Sequence, residues 1–402
     1  MRSSAIVRVL LAAMLLAPAA AAQDPPPRDP VDDASVRWGP IGLTPVINLR
    51  DVGRDNNVFN ESTSPKSDFT ATISPKLDVL AHPGPLLLTV STTSDYIYYQ
   101  TYASERAANI GSSVRADFTF GPVRPSFSAS GGNTKDRVNR EIDARARHRD
   151  RAYGAGVRVQ LVEGVSVTGG VRQSSITYDE DAVFRGESLA ENLDEQMRAV
   201  DASVGVALTP LTSVSVAVSM ERDRFDLSPE RDSDTLRIMP SVSFSPLAML
   251  NGSAAFGYRR FTPLDPRVPD YRGFVASLSL GTTLHERHRI DAAFGRDVQY
   301  SYEEADVYYV ETSIQGTWTW QVTGPLDLRL SGSRARMRYP TRTDAATDED
   351  FATTYGAGVS WRLRPTLRAG VNADWRGRES ERSADREYDN RRIYATVTWG
   401  KQ

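Results

Sequence analysis

The chain has 402 residues, of which 48 are basic, 51 are acidic and none is cysteine. This near-balance of charge lacks the basic excess of nucleic-acid-binding proteins, so we expect no nucleic-acid partner. The absence of cysteine excludes a fold held together by disulfides. Beyond the N-terminal segment, no window approaches the run of about 18 apolar residues that a membrane helix needs, which excludes a helical membrane protein.

The N-terminal segment has the pattern of a secretory signal peptide. Its start carries two arginines, an apolar run extends from Ile6 to Leu16, and Ala20 to Ala22 supply the small residues of a cleavage site. The apolar run is too short to span a bilayer alone. The next segment is rich in Pro and Asp and has no apolar face. We therefore predict a signal peptide over residues 1–22, a flexible periplasmic leader over 23–40 and one folded domain over 41–402.

Short segments in which apolar and polar residues alternate recur from Gly42 to Trp399. Alternation with a period of two places one set of side chains on each face of a β-strand. Tight turns containing Gly or Pro, such as Gly121-Pro122, alternate with long charged loops, such as Asp179 to Glu195. These segments predict eighteen strands joined as consecutive hairpins.

One face of these strands is thinly apolar and the other is polar or charged. A soluble sandwich of this length needs thicker apolar cores, whereas an outer-membrane barrel needs a lipid-facing band and a wet interior. The fold class predicted is therefore all-β: a transmembrane antiparallel up-and-down β-barrel of about 18 strands (16–18) in the bacterial outer membrane. Short turns face the periplasm and long loops face outside. Outer-membrane lipid and the barrel-insertion machinery are the partners that such a barrel implies.

Aromatic residues gather near the predicted strand ends. Amphipathic rings favour both membrane interfaces, so we expect two aromatic girdles. The residues assigned to them are Tyr96, Tyr98, Tyr99, Tyr102, Tyr300, Tyr302, Tyr308 and Tyr309 at one end, and Trp318, Trp320, Trp361 and Trp399 at the other.

The predicted strand 325–339 departs from the pattern. Leu330 and Arg334 are an even number of residues apart and so share one face of the strand. If Leu330 faces lipid, Arg334 also faces outward. A bulge near Gly332 would restore Ala335 and Met337 to the lipid face. Otherwise the outward arginines of this strand lie above the membrane.

The interior of such a barrel is wide enough for an aqueous lumen roughly 20 Å across, unless loops fill it. Its inward positions carry charges of both signs, and basic residues dominate the last four strands. These charges have two interpretations. They form an ion-pair ladder that holds the strands together, or they create a field that selects solutes and favours anions. The candidate lumen and selectivity residues are Arg329, Arg362, Arg364, Arg368, Arg376 and Arg392, the first four of them near the periplasmic mouth.

The sequence has no pattern typical of an enzyme. Its four histidines fall in predicted turns or loops, and two of them, His285 and His288, share one charged turn. Two such ligands are more often solvated than metal-bound. We predict no catalytic residues, no cofactor and no metal site.

The first predicted strand contains Pro45 and is followed by a polar turn with a hydrophobic end. This opening resembles that of the β-barrel porin family of outer-membrane proteins associated with exopolysaccharide biosynthesis operons (EpsL-like). Four residues carry the resemblance: Asp55, Asn57, Val58 and Phe59. Many such barrels end on an aromatic residue, whereas here Trp399 is followed by three more residues.

The resemblance implies a barrel of 16 to 18 strands and a role as the outer-membrane conduit for exopolysaccharide export. It also implies an anionic polysaccharide and periplasmic polysaccharide-export components as partners. Two alternatives stay open from the residues alone. One is a general or anion-preferring solute porin, and the other is a closed structural or assembly barrel whose outer loops bind polymer or partners.

Overall fold

A computed structural model describes residues 29–340 and 348–401. The predicted signal peptide over residues 1–22 and part of the loop after Tyr339 lie outside the described residues. The described chain forms one closed barrel of eighteen antiparallel strands, which confirms the predicted fold class and strand number. The strands are β1 Ile41–Asp55, β2 Asp68–Ala81, β3 Leu86–Tyr99, β4 Ala107–Phe118, β5 Val123–Arg137, β6 Arg145–Val162, β7 Val165–Tyr178, β8 Glu195–Thr209, β9 Thr212–Phe225, β10 Ser233–Phe244, β11 Leu250–Pro263, β12 Tyr271–Leu284, β13 His288–Tyr300, β14 Tyr308–Gln321, β15 Leu326–Tyr339, β16 Asp348–Arg364, β17 Leu367–Ser380 and β18 Tyr388–Gly400.

Each strand pairs with its neighbours in sequence, and β18 pairs with β1 to close the barrel. Closure satisfies the backbone hydrogen-bonding groups that an open sheet edge would expose to lipid. One end of the barrel has turns of two to five residues, and the other has loops of seven or more. Gly84 and Gly121 have φ of +64° and +61° in two of the short turns, a conformation that favours glycine.

The apolar rows predicted for the strands lie on the outer surface. Ile314, Val371 and Ile393 are each about 60% exposed, as expected of side chains that face lipid. Trp361 and Trp399 are half exposed near the short-turn end, where an aromatic girdle was predicted. None of the helices in the described part of the chain has the length and hydropathy of a membrane span.

The described part of the predicted leader, residues 29–40, folds back onto the start of β1. It contains a 3-10 turn, Pro30–Asp33, and a short strand, Val36–Trp38, that pairs with Ile41 to Leu43. Val31 is 3% exposed because it packs beside Gly42. This small apolar contact holds the described part of the segment against the start of β1.

Strand β15 keeps one register along its whole length. It pairs without a shift with both β14 and β16, so of the two alternatives the bulge near Gly332 does not form. Ala335 and Met337 face inward and are buried. Arg334 remains on the outer surface, where its guanidinium lies 4.9 Å from the ring centre of Phe351.

The β13–β14 hairpin leaves the barrel wall near the long-loop end. Pairing between β12 and β13 stops at Ala276 and Arg296, although both strands continue. Beyond this point Tyr300 packs its ring against Phe225 and Phe261, whose strand positions face inward. The hairpin tip, residues 297–310, therefore lies inside the barrel.

This inward course overturns one part of the predicted aromatic girdle. Tyr302, Tyr308 and Tyr309 are at most 2% exposed, so they belong to the interior packing and not to the membrane interface. Tyr96 and Tyr98 are 57% and 45% exposed on the outer surface, as a girdle position requires.

Candidate functional site

The lumen at the short-turn end contains three of the predicted arginines. Arg362 and Arg368 lie directly opposite each other on β16 and β17, and Arg329 lies on the inward face of β15 opposite Gly358. Asp327 accepts an ion pair from Arg368 at 3.0 Å. Two arginines facing each other across a strand pair repel, and Asp327 offsets the charge of one of them.

Arg364 is placed differently from the prediction. A register shift between Arg362 and Arg364 puts Arg364 opposite Leu367, which in turn pairs with Trp399 on the lipid-facing surface. A bulge of this kind moves the following residue to the other face of the strand. Arg364 therefore lies on the outer side of the rim and not in the lumen.

The other two predicted arginines lie in the half of the lumen toward the long loops. Arg376 is on the inward row of β17, with Asp374 at 3.8 Å. Arg392 of β18 is 4% exposed and forms ion pairs with Asp51 and Asp55 of β1. Arg392 thus stabilises the pairing of β18 with β1, which closes the barrel.

The residues of the family-like motif form a loop beside this closure. Asp55 accepts hydrogen bonds from the backbone N–H of Asn57 at 2.9 Å and from Asn390 Nδ2 at 2.7 Å. Asn57 Nδ2 donates to the carbonyl oxygen of Asp389 at 2.9 Å. Val58 is 2% exposed, and the Phe59 ring meets that of Tyr102 edge to face. The motif therefore joins the first long loop to the last hairpin.

Further ion pairs run along the inner wall of β7 to β13. Arg172 pairs with Asp201 and Glu221, and Asp297 pairs with Arg237 and Arg259. These contacts cross from strand to strand, as the ladder interpretation of the lumen charges predicts. Many inward charges thus neutralise each other, as Asp327 and Arg368 also do at the short-turn end.

The long-loop end of the lumen is filled by a group of segments that we call the outer plug: loop 138–144, loop 179–194 and the hairpin tip 297–310. Loop 138–144 leaves the wall between β5 and β6 and reaches strands about halfway around the barrel. Ser301 Oγ and Tyr339 Oη donate to Glu141 Oε1 at 2.6 and 2.9 Å. Both Glu141 and Ile142 are fully buried.

Loop 179–194 packs against the hairpin tip from the other side. It contains a short strand pair, Val183–Phe184 with Glu187–Ser188, and a one-turn helix, Leu189–Leu193. The Phe184 ring meets that of Tyr302 edge to face at 4.8 Å. Asn192 Nδ2 donates to the Tyr302 carbonyl at 2.9 Å. Apolar side chains of both loops then form one buried cluster with Tyr302.

Arginines of the last long-loop hairpin and of loop 226–232 hold the plug. Arg378 donates to the Glu141 carbonyl at 2.8 Å and pairs with both Asp143 and Asp350. Arg386 pairs with Asp350 and Glu303. A second group of contacts adds Arg231, which donates to the carbonyls of Ser301 and Glu303, and Arg382, which pairs with Glu303 and Asp306.

Burial changes the proton affinity of the plug's carboxyl groups. It raises the pKa of Glu141, although hydrogen bonds from Ser301 and Tyr339 and the charge of Arg378 act the other way. Burial likewise raises the pKa of Asp143 against the charges of Arg378 and Arg137. Charged groups enclosed in this way are stabilised only while their partners stay in place.

The plug residues were not among those predicted from sequence. Glu141, Asp143 and Arg378 appear in the sequence as ordinary loop and strand-end charges. One signal was available, because loop 179–194 contains apolar residues that a fully solvated loop does not need. The described residues contain no group of three or more His, Asp or Glu side chains placed to hold a metal ion.

Several solved structures of bacterial proteins are similar to this chain. They include a BenF-like porin from Pseudomonas fluorescens Pf-5 (11% identity, TM-score 0.49, covering 89% of this chain and 98% of that one) and OccK3 (OpdO) from Pseudomonas aeruginosa (13% identity, TM-score 0.48, covering 92% and 96%). The outer membrane protein OpdK from Pseudomonas aeruginosa is 9% identical, with a TM-score of 0.48 and coverage of 89% and 99%. No curated protein matches the chain.

A family model matches nearly the whole described chain. The family is described as Putative beta-barrel porin 2, and the match extends over residues 29–401. Its members are porins, so the expected location is the bacterial outer membrane and the expected activity is that of a channel. The chain therefore belongs to this family of outer-membrane β-barrel porins.

Proposed function

We propose that this outer-membrane porin is the conduit through which an acidic exopolysaccharide leaves the cell. The observation that carries the proposal is the arginine group on the lumen face at the short-turn end, where Arg362 and Arg368 oppose each other near Arg329. This end faces the periplasm, so a polymer would meet these charges first. Arginine binds carboxylate groups through two parallel hydrogen bonds.

The outer plug suits a conduit that stays closed between export events. It consists of loops of the barrel itself and is held by ion pairs and hydrogen bonds to Arg378, Arg386 and Glu141. Polar contacts of this type can be exchanged for contacts with a sugar chain. A periplasmic polysaccharide-export component would deliver the polymer to the short-turn end.

The test is a clean deletion of the gene with measurement of secreted and cell-associated polysaccharide. Loss of secreted polymer or its accumulation in the periplasm, restored by the wild-type gene, is the expected result. Complementation with Arg362→Glu/Arg368→Glu should restore less secretion than complementation with Arg364→Glu, which changes a neighbouring charge on the outer side of the rim. Normal secretion by the deletion strain would refute the proposal.

A second candidate is an anion-preferring porin for small solutes, and the same arginines favour it. It predicts normal polymer secretion together with slower uptake of small anions by the deletion strain. A third candidate, a closed structural barrel whose loops bind polymer or partners, is favoured by the outer plug. It predicts that the purified protein conducts no ions even after the plug contacts are removed.

A further inference from the structure

The outer surface of the barrel carries a cluster of arginines just beyond its apolar rows, toward the long loops. Four of them form what we call the arginine patch: Arg198 of β8, Arg222 of β9, Arg260 of β11 and Arg272 of β12. All four are exposed.

Two hairpins of the patch repeat one arrangement. On β8 and β9, Val200 lies opposite Met220, and two residues farther toward the long loops Arg198 lies opposite Arg222. Residues two apart share a face of a strand, so the arginines continue the exposed apolar row.

On β11 and β12, Tyr258 lies opposite Phe274, and again two residues farther Arg260 lies opposite Arg272. The apolar side chains beneath the patch are about half exposed on the lipid-facing surface. The two hairpins are joined by Leu236 of β10, which pairs with Met220 on one side and Arg260 on the other. Five adjacent strands spaced about 4.8 Å apart make the patch roughly 20 Å wide.

The positive charge of the patch is mostly uncompensated. Among the residues that the structure describes, Arg198, Arg222 and Arg260 have neither an ion-pair nor a hydrogen-bond partner. Asp234 lies opposite Arg222 but accepts an ion pair from Arg224 at 2.8 Å. Arg272 alone has an acidic partner, Asp270, at 3.0 Å. Like charges directly opposite each other on neighbouring strands destabilise the pairing, so each arginine pair favours a bound anion.

We propose that the arginine patch binds the phosphate groups of a bisphosphorylated glycolipid of the lipid A type in the outer leaflet. The long loops lie on the outer side of the membrane, which places the patch at headgroup level in that leaflet. The apolar side chains below would contact the acyl chains, and the guanidinium groups match phosphate oxygens two at a time. Basic side chains beside a membrane-spanning segment are known to attract anionic headgroups.

The test is native mass spectrometry of the refolded full mature chain in detergent with defined lipids. The lipids are diphosphoryl lipid A, monophosphoryl lipid A, phosphatidylglycerol and phosphatidylethanolamine. Wild type should bind diphosphoryl lipid A tightest. Arg198→Gln/Arg222→Gln and Arg260→Gln/Arg272→Gln should each bind it roughly 30-fold more weakly, because each double variant removes two arginines and each arginine near a membrane surface contributes about 1 kcal/mol.

The matched control is Arg287→Gln/Arg289→Gln, which removes two arginines at the opposite rim of the barrel and should bind lipid A as wild type does. Heat-modifiable migration on a gel verifies that each variant is a folded barrel. Equal binding of lipid A by wild type and both patch variants would overturn the proposal. Binding of phosphatidylglycerol as tight as that of diphosphoryl lipid A would also overturn it, because the patch would then recognise any anionic headgroup.

Discussion

Arg378 is a buried side chain whose charge is shared by two carboxylates. It is 3% exposed and lies between Asp143 and Asp350, which are also buried. Removing one member of a buried ionic group leaves the others without compensation, which costs about 3–5 kcal/mol. Asp143 lies in loop 138–144 and Asp350 lies in the barrel wall. Loss of Arg378 therefore weakens the contact between the plug and the wall.

We therefore expect Arg378→Gln to loosen the outer plug while the barrel stays folded. Planar-bilayer recordings should show a higher open probability than wild type. Arg149→Gln removes an exposed arginine from the outer surface of β6 and should leave the open probability unchanged. Recordings of Arg378→Gln identical to those of wild type would show that the plug does not control conduction.

Like Arg378, Asp55 is a buried charged residue with several polar contacts. It lies where β18 pairs with β1 to close the barrel. It receives hydrogen bonds from Asn57 and Asn390 and lies 3.6 Å from Arg392 Nε. Loss of a buried acceptor costs about 1–3 kcal/mol, so Asp55→Ala should speed hydrogen exchange in residues 56–67 and 388–392. Asp181→Ala, which removes an exposed loop carboxylate, serves as the control. Unchanged exchange in both regions would contradict the anchoring role given to Asp55.

At the scale of elements, we expect loop 138–144 to make the plug sensitive to pH. Burial raises the pKa of Glu141 and Asp143 in the closed plug, so the closed state binds more protons than an open state whose carboxyl groups are in water. By linkage, the closed plug is most stable below the ordinary pKa values of these groups and loses stability as pH rises through the raised values.

The expected result is fewer openings of the wild-type channel as the pH on the loop side is lowered from 7 to 5. Glu141→Gln keeps a neutral side chain in the same place and should reduce this pH dependence, leaving the share that belongs to Asp143 and to Asp194, whose pKa burial also raises. Open probability measured against pH in planar bilayers checks both statements. More frequent openings at pH 5 would reverse the sign and refute the linkage.

The sequence predicted the strands of the barrel wall more accurately than the loops and the hairpin tip that fill the lumen. Alternation located the strands because a wall residue faces either lipid or lumen, and the two sides demand different side chains. The alternation rule fails at Tyr300. Its position in the alternating pattern predicts that it faces lipid, but its ring packs inside the barrel against Phe225. A hairpin that leaves the wall no longer follows the alternation rule.

The candidate site shows the same limit of sequence-based prediction at single residues. Arg362 and Arg368 lie opposite each other on the inward-facing rows, since simple parity holds up to the end of β16, and their role in selectivity stays a prediction. Arg364 does not lie on the inward-facing row, because one extra residue at the rim reverses the parity. The plug contacts join loops distant in sequence, and no local pattern records which distant loop a charge will meet.

At the scale of the whole molecule, the charges divide into three levels. The outer plug encloses opposite charges in pairs, the middle of the lumen carries the ladder, and the short-turn end has Arg362 opposite Arg368, of which only Arg368 has an ion-pair partner, Asp327, among the described residues. Since paired charges cancel at a distance, the short-turn end sets the sign of the field that an entering ion meets. This arrangement predicts preference for anions over cations.

Charge reversal at the opposed pair tests this directly. Arg362→Glu/Arg368→Glu should shift the reversal potential in a salt gradient from the anion-selective to the cation-selective side, because rings and pairs of charge determine which ion enters. Arg364→Glu changes a neighbouring charge on the opposite face of the strand and should shift the potential much less. Recording both variants with and without Arg378→Gln ensures that conduction is measurable if the plug closes the wild-type channel. Equal shifts from the two variants would mean that net charge at the rim, and not the lumen pair, determines selectivity.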